Sequence, residues 1–296
     1  MVPRRYPVLF LVVTALLLGA CNKPVPSSTV PVVDTATSTD TVPIRYETVG
    51  KGDVALVFVH CWTCNRGFWD AQVAPFAQQY QVVRLDLAGH GESGNDRKIY
   101  SMAAFGADVA AVADKLKLKK IVLIGHSMGG PVSLEAEKRL GDRVIGVVGV
   151  DTFHTGFTIP TGAKAKKFSN DFVKPFEQNF PEHAGKLMRS FFAAGADPLL
   201  VDRVAKNTQS ADKAMALSAM RQLFAWYEKD AAVAFQRIDG RLRNINGDPK
   251  GENKPLHPSV TLIAGAAHFP AQEKPAEFNQ ALDTIIKQFV AGAAKK

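Results

Sequence analysis

Gly125-His126-Ser127-Met128-Gly129 sets one serine between two glycines in the pattern G-x-S-x-G. The apolar run KIVLIGH (120–126) precedes it and the helical pattern MGGPVSLEAEKRL follows, so the serine falls on a strand-to-helix turn. A turn this tight needs small flanking residues, which Gly125 and Gly129 supply, and it lifts the serine oxygen above the sheet edge. The backbone N–H of Met128, at the helix start, then faces any oxyanion that develops. The chemistry indicated is nucleophilic attack on a carbonyl.

A serine hydroxyl is a poor nucleophile until a base takes its proton. Of the seven histidines, His268 in LIAGAAHFP follows the last expected strand by a short loop, on the same carboxyl edge as Ser127. His126 points away by adjacency and His90 belongs to another loop. His154, His183 and His257 lie in an inserted or connecting segment. An acid must orient His268 and stabilise its charge. Asp151 after VIGVVGV and Asp248 after RLRNING both end strands on that edge and keep the order Ser…Asp…His. Asp248 follows the penultimate strand, closer in sheet order to the His268 loop, and is preferred, with Asp151 the alternative acid or a pocket-lining residue. Asp86 at the end of VVRLDL precedes the serine and suits a turn.

These residues need a scaffold that brings strand ends together. Strands are expected over 44–50, 54–60, 81–87, 120–126, 144–151, 241–247 and 259–265. Helical patterns alternate with them, including 101–118 with Ser101 as N-cap. Strands that are apolar throughout argue for a mainly parallel sheet covered on both faces. The rhythm breaks over 152–239, which reads as all helical and most simply as a lid.

The 296 residues are 46% hydrophobic and 22% charged, a globular composition with ample chain for a core. The net charge is +8 and the pI about 9.3, but the basic residues are scattered. No basic stripe interleaved with aromatics points to nucleic acid. No H-x-x-H, H-E-x-x-H or paired Cys/His spacing completes a metal site, and no cofactor is implied.

Residues 1–20 have the layout of a secretory signal: MVPRRY is positive, PVLFLVVTALLL is apolar, and small residues follow. Leu18-Gly19-Ala20-Cys21 resembles the lipobox of bacterial lipoproteins, in which the cysteine is acylated and becomes the new N-terminus. Residues 21–42 are rich in Pro, Ser, Thr and Val and read as an extended tether to a domain over 43–296. The expected location is the cell envelope, lipid-anchored at a membrane. Asn22 after the cysteine, by resemblance to Gram-negative sorting rules, favours the outer membrane facing the periplasm.

VFVHCWTCNRGFW, LDLAGHGES, GHSMGG, INGD and GAAHFP…EKPAEFN together resemble the α/β-hydrolase superfamily, over essentially residues 43–296. The resemblance implies an α/β fold with a mostly parallel eight-stranded sheet flanked by helices, and a helical lid inserted after the sixth strand. It also implies a Ser127–Asp248–His268 triad that hydrolyses a small-molecule ester through an acyl-enzyme. The same triad also serves perhydrolases and carbon–carbon bond hydrolases, and a non-catalytic sensing module on this fold is the rival from another class. Asp86, Gly89, His90, Gly91 and Ser93 match a loop that in relatives shapes the pocket floor. Phe168, Phe172, Phe176, Phe191, Phe192, Phe224 and Trp226 either face an apolar acyl group or pack the lid.

His60-Cys61-Trp62-Thr63-Cys64-Asn65 departs from the superfamily, which usually has glycine where Cys61 stands. The resemblance makes Trp62 the residue whose N–H completes the oxyanion hole with Met128, and the missing glycine puts the loop's backbone geometry in question. With Cys21 lipidated, Cys61 and Cys64 are the remaining thiols in an oxidising compartment. Two readings stay open, a local disulfide that stiffens the loop or two buried thiols.

Overall fold

The computed structural model describes residues 30–153, 161–238, 240–255 and 257–294. The expected signal, Cys21, the first part of the tether and His154 lie outside the described residues.

The chain forms β1 (Val32–Thr37), β2 (Pro43–Val49), β3 (Val54–Val59), β4 (Gln81–Leu85), β5 (Lys120–His126), β6 (Val144–Val150), β7 (Leu242–Asp248) and β8 (Val260–Ala264). They make one sheet in the order β1-β2-β4-β3-β5-β6-β7-β8. β1 and β2 are antiparallel and all pairings from β4 to β8 are parallel. In β3 every residue of VALVFV is buried. Ala55, Val57 and Val59 enter one core, while Leu56 and Phe58 enter the other. In β5, Ile121 and Leu123 alternate with Val122 and Ile124 in the same way. Side chains of period two that are apolar on both faces require helices on both sides. Each fully buried Leu, Ile or Phe contributes about 1.5–3 kcal/mol of transfer free energy.

One face is covered by α1 (Asp70–Ala77) and, from the end of the chain, the long helix Pro275–Ala293, through Phe76, Phe278, Leu282 and Ile286. The other carries α2 (Met102–Lys115) and α3 (Gly129–Leu140). Ser101 caps α2, its side chain accepting the Ala104 amide at 3.1 Å. Between β6 and β7 lie α4 (Ala163–Gln178), α5 (Phe180–Ser190), α6 (Pro198–Gln209), α7 (Lys213–Lys229) and α8 (Ala231–Ile238). The last two helices are α9 (Pro270–Glu273) and α10 (Pro275–Ala293).

The expected tether ends early. Residues 32–37 pair with β2 as the edge strand of the sheet, in register from Val32 opposite Thr48 to Thr37 opposite Pro43. Ala36 is buried, the Tyr46 hydroxyl donates to Asp34 at 3.1 Å, and Lys115 forms an ion pair with Asp34. Seven strands were legible as apolar runs, and this is the eighth. An edge strand exposes one side, so VVDTAT needs few apolar residues and blends with its Pro- and Thr-rich surroundings.

Candidate active site

Ser127 follows the last residue of β5 and has φ +52°, a left-handed conformation unusual for a residue with a side chain. Its amide donates to the Val150 carbonyl at 2.9 Å and its carbonyl accepts the Gly130 amide at 3.0 Å, so both sides of the turn are fixed. The flanking glycines are sterically required. A Cβ on Gly125 would overlap the Gly129 carbonyl, and one on Gly129 would lie 2.5 Å from the Val59 carbonyl oxygen. No side chain caps α3, and among the described residues no protein acceptor takes the Met128 amide.

His268 lies between β8 and α9, and both His268 and Ser127 line one cavity. The His268 Nδ1–H donates to Asp151 Oδ2 at 2.6 Å. Asp151 follows β6 directly, has φ +44°, and accepts the Gly247 amide on Oδ1 at 2.8 Å. The structure thus puts Asp151 in the acid's position and corrects the preference for Asp248. Asp248 ends β7 as expected, but its carboxylate accepts the side-chain and backbone N–H groups of Asn253 at 2.7 and 3.1 Å. Its carbonyl accepts the amides of Gly251 and Gly265, so it organises the turn after β7. Asp86 also has a structural task, accepting the Arg66 and Glu92 amides and pairing with the Arg66 guanidinium.

Three groups that secure the histidine loop were missed in the sequence. His126, expected to point away, donates its Nε2–H to the His268 carbonyl at 2.6 Å. Burial, and next the nearby His268, push the His126 pKa down to about 3, so the ring is neutral and holds one tautomer. The His268 amide donates to the Phe191 carbonyl at 2.9 Å. Glu273 accepts the amides of Ala267 and Phe269 on Oε1 at 3.0 and 3.1 Å, clamping both neighbours of His268. A carboxylate five residues after a histidine carries no recognisable signal.

Cys61 and Cys64 are joined by a disulfide, with Cα atoms 5.2 Å apart. The loop's unusual backbone is at Thr63, with φ +58°, and not at Cys61 or Trp62, so a side chain in the usual glycine position is accommodated. Every polar group of Thr63 is engaged. Its amide donates to His90, its hydroxyl donates to the Trp62 carbonyl and also contacts the Thr208 hydroxyl, and its carbonyl accepts from Asn207. The Trp62 indole N–H donates to the Ala216 carbonyl at 2.8 Å, tying the loop to α7. Trp62 and Met128 line the cavity beside Ser127, and among the described residues no protein acceptor takes the Trp62 amide. The two amides are thus available to a bound oxygen.

The cavity has a volume of about 800 Å³. Phe168, Phe172, Phe191 and Phe224 line it, as expected for the substrate-facing reading. Phe176, Phe192 and Trp226 instead pack: Phe176 on Phe172, Phe192 on Phe269, and the Trp226 indole onto Glu135. Asp151, His268 and Tyr227 are the ionisable side chains among the described lining residues, with no lysine or arginine. No cluster of three or more His, Cys, Asp or Glu side chains suited to a metal occurs among the described residues.

Known proteins share this arrangement of strands. 3-Oxoadipate enol-lactonase 2 of Acinetobacter baylyi is 26% identical over 272 residues, covering 86% of this chain and 97% of that protein. A thermophilic esterase from Thermogutta terrifontis superposes with a TM-score of 0.73 at 22% identity, over 87% of this chain and 99% of the esterase. Est816, described as an N-acyl homoserine lactone degrading enzyme, superposes with a TM-score of 0.68 at 26% identity, over 85% and 99% of the two chains. The alpha/beta hydrolase family model matches residues 56–281, and the chain belongs to that family.

Proposed function

We propose that this protein is a serine hydrolase that cleaves the ester bond of a neutral, largely apolar ester or lactone. The observation that carries the reading is the 2.6 Å bond from His268 to Asp151 in the cavity that also holds Ser127 on its strained turn. His268 takes the Ser127 proton on Nε2 as the serine oxygen attacks the carbonyl, and Asp151 stabilises the imidazolium from Nδ1. The amides of Trp62 and Met128 donate to the oxyanion. His268 then gives its proton to the leaving alkoxide, releasing the alcohol and leaving an acyl-enzyme. Water, activated by the same ring, releases the acid and restores Ser127.

The cavity supports the substrate class. Its phenylalanines, leucines and methionines favour an apolar acyl group, and the absence of a cation among the described lining residues disfavours an anionic one. The relatives include an esterase and enzymes named for lactones. Ser127→Ala should abolish turnover of p-nitrophenyl esters, and a fluorophosphonate should label Ser127. Undiminished turnover in the variant would overturn the reading. The enzyme is also held at a bacterial envelope membrane through acylated Cys21, a reading supported by the sequence of residues 1–21. An unmodified cysteine at the mature N-terminus, seen by mass spectrometry, would overturn it.

A further inference from the structure

Away from Ser127, Asp151 and His268, the cavity wall is apolar except at one place. The hydroxyl oxygens of Thr152 and Tyr227 lie 3.3 Å apart, and both residues line the cavity. Thr152 comes directly after Asp151, while Tyr227 belongs to α7, so the pair bridges the sheet edge and the helical insertion. It is near the nucleophile. A Cβ on Gly130 would lie 3.0 Å from the Thr152 hydroxyl oxygen, and Gly130 is the residue whose amide holds the Ser127 carbonyl. The two hydroxyls therefore sit beside the first turn of α3, on the wall of the cavity that also holds Ser127.

The donors and acceptors do not balance. The pair has two O–H protons, and their mutual bond uses one. The phenol oxygen also receives the Phe153 amide, which adds a donor and no acceptor. One O–H proton is left without a protein acceptor among the described residues, in a cavity whose side chains beyond Ser127, Asp151 and His268 offer none. Burial raises the Tyr227 pKa, so the phenol keeps its proton at neutral pH. A plain alkyl chain seated here would strip water from that donor and return nothing, a net cost for a polar group in an apolar site. An oxygen on the chain would meet it.

We propose that Tyr227 and Thr152 select substrates whose acyl portion carries a hydrogen-bond acceptor, such as a keto, ether or ring oxygen, part-way along an otherwise apolar body. The inference rests on the serine hydrolase reading and adds the substrate feature that the site recognises. The test uses p-nitrophenyl alkanoates of one chain length in which an ether oxygen replaces a single methylene, moved stepwise along the chain. Placed from the fourth carbon outward, an ether oxygen is too far from the carbonyl to activate the ester and lowers hydrophobicity about equally at each position, so only a located donor makes one position stand out.

The wild-type protein should prefer one position over the others by about five- to tenfold in kcat/KM, the size of a neutral hydrogen bond. Tyr227→Phe combined with Thr152→Val, which removes both O–H groups, should bring that position close to the rest of the series. A role in packing alone would lower all the esters together and leave their ratios fixed. A flat profile in the wild type, or a double-variant profile that keeps the wild-type ratio, overturns the proposal. The stepwise series is read on the wild-type chain, so it stands even where the variant does not fold. If the wild type hydrolyses none of the esters and a fluorophosphonate does not label Ser127, the hydrolase reading fails and this proposal falls with it.

Discussion

His60 and His90 each secure the loop that carries the other. His60, after β3, accepts the Leu87 amide on Nε2 at 3.0 Å, and His90, after β4, accepts the Thr63 amide on Nε2 at 3.2 Å. Their Nδ1–H groups donate to the Cys61 and Ala88 carbonyls at 2.8 and 3.0 Å. The rings are 4.9 Å apart and buried, so each must be neutral and in the tautomer protonated on Nδ1. The clasp therefore fixes Thr63, next to the Trp62 amide that we propose as an oxyanion donor.

Breaking that clasp should slow chemistry more than it weakens binding. His90→Leu removes the acceptor of the Thr63 amide. The expected result is a fall in kcat of about tenfold or more with KM little changed, because an oxyanion donor acts mainly in the transition state. His90→Gln, which can still accept a hydrogen bond, should recover part of the loss. Steady-state kinetics on a p-nitrophenyl ester checks both, and a loss confined to KM would refute the assignment.

The acid can be identified by a pair of substitutions. Asp151→Asn should lower kcat by about three to four orders of magnitude, as expected when the carboxylate that orients the base is lost. Asp248→Asn changes only the turn that Asn253 and Gly251 complete. It should shift the melting temperature by a few degrees and leave kcat within a few-fold. The reverse pattern in kcat would return the role to Asp248.

The disulfide should matter to activity as well as stability. Closing so short a loop contributes about 2 kcal/mol on the chain-entropy account. Replacing both Cys61 and Cys64 by serine should therefore lower the melting temperature. Because the pair brackets Trp62 and the positive-φ Thr63, kcat should also fall by about tenfold. Peptide mass mapping without reductant should find the peptide that spans both cysteines two hydrogens lighter than its reduced form. Full activity in the double serine variant would show that the loop holds its shape unaided.

Acid sensitivity should begin above the carboxylate range. Burial pushes His60 to about 4, and it pushes His90 and His126 to about 3, against about 6.5 for an unfolded histidine. The folded pKa values are depressed, so the unfolded chain binds more protons as pH falls. Stability is thus fully present above about pH 6.5 and is lost on the way down towards pH 3–4. The slope is about 1.4 kcal/mol per pH unit for each histidine. Urea denaturation at pH 7, 6 and 5 should show a falling midpoint, and equal midpoints at pH 7 and 5 would contradict the burial of these rings in neutral form.

Much of this site is legible in the residues alone, because part of the chemistry is local. Ser127 can be read from five residues, since the turn that exposes it is enforced by Gly125 and Gly129 and by the strand and helix on either side. His268 can be read because it follows the last apolar strand. The parallel sheet follows from runs such as VALVFV and KIVLIGH, which cannot be half-exposed. Trp62 and Met128 follow once the superfamily is recognised.

The choice between Asp151 and Asp248 was not available in that form. Both end strands on the same edge and both lie between serine and histidine in the chain, and chain order carries no distance. The choice depends on the path of the His268 loop, held by His126, Phe191 and Glu273, and on the left-handed turn at Asp151. Each is a contact between segments far apart in sequence. The edge strand β1 and the His60–His90 clasp belong to the same class. The sequence by itself determined the fold and pointed to Ser127 and His268 as the proposed nucleophile and base, where local sterics and apolar periodicity suffice. Only the tertiary structure decided the acid, the first strand and the supports of the oxyanion loop, because those depend on which strand ends and loops meet in space.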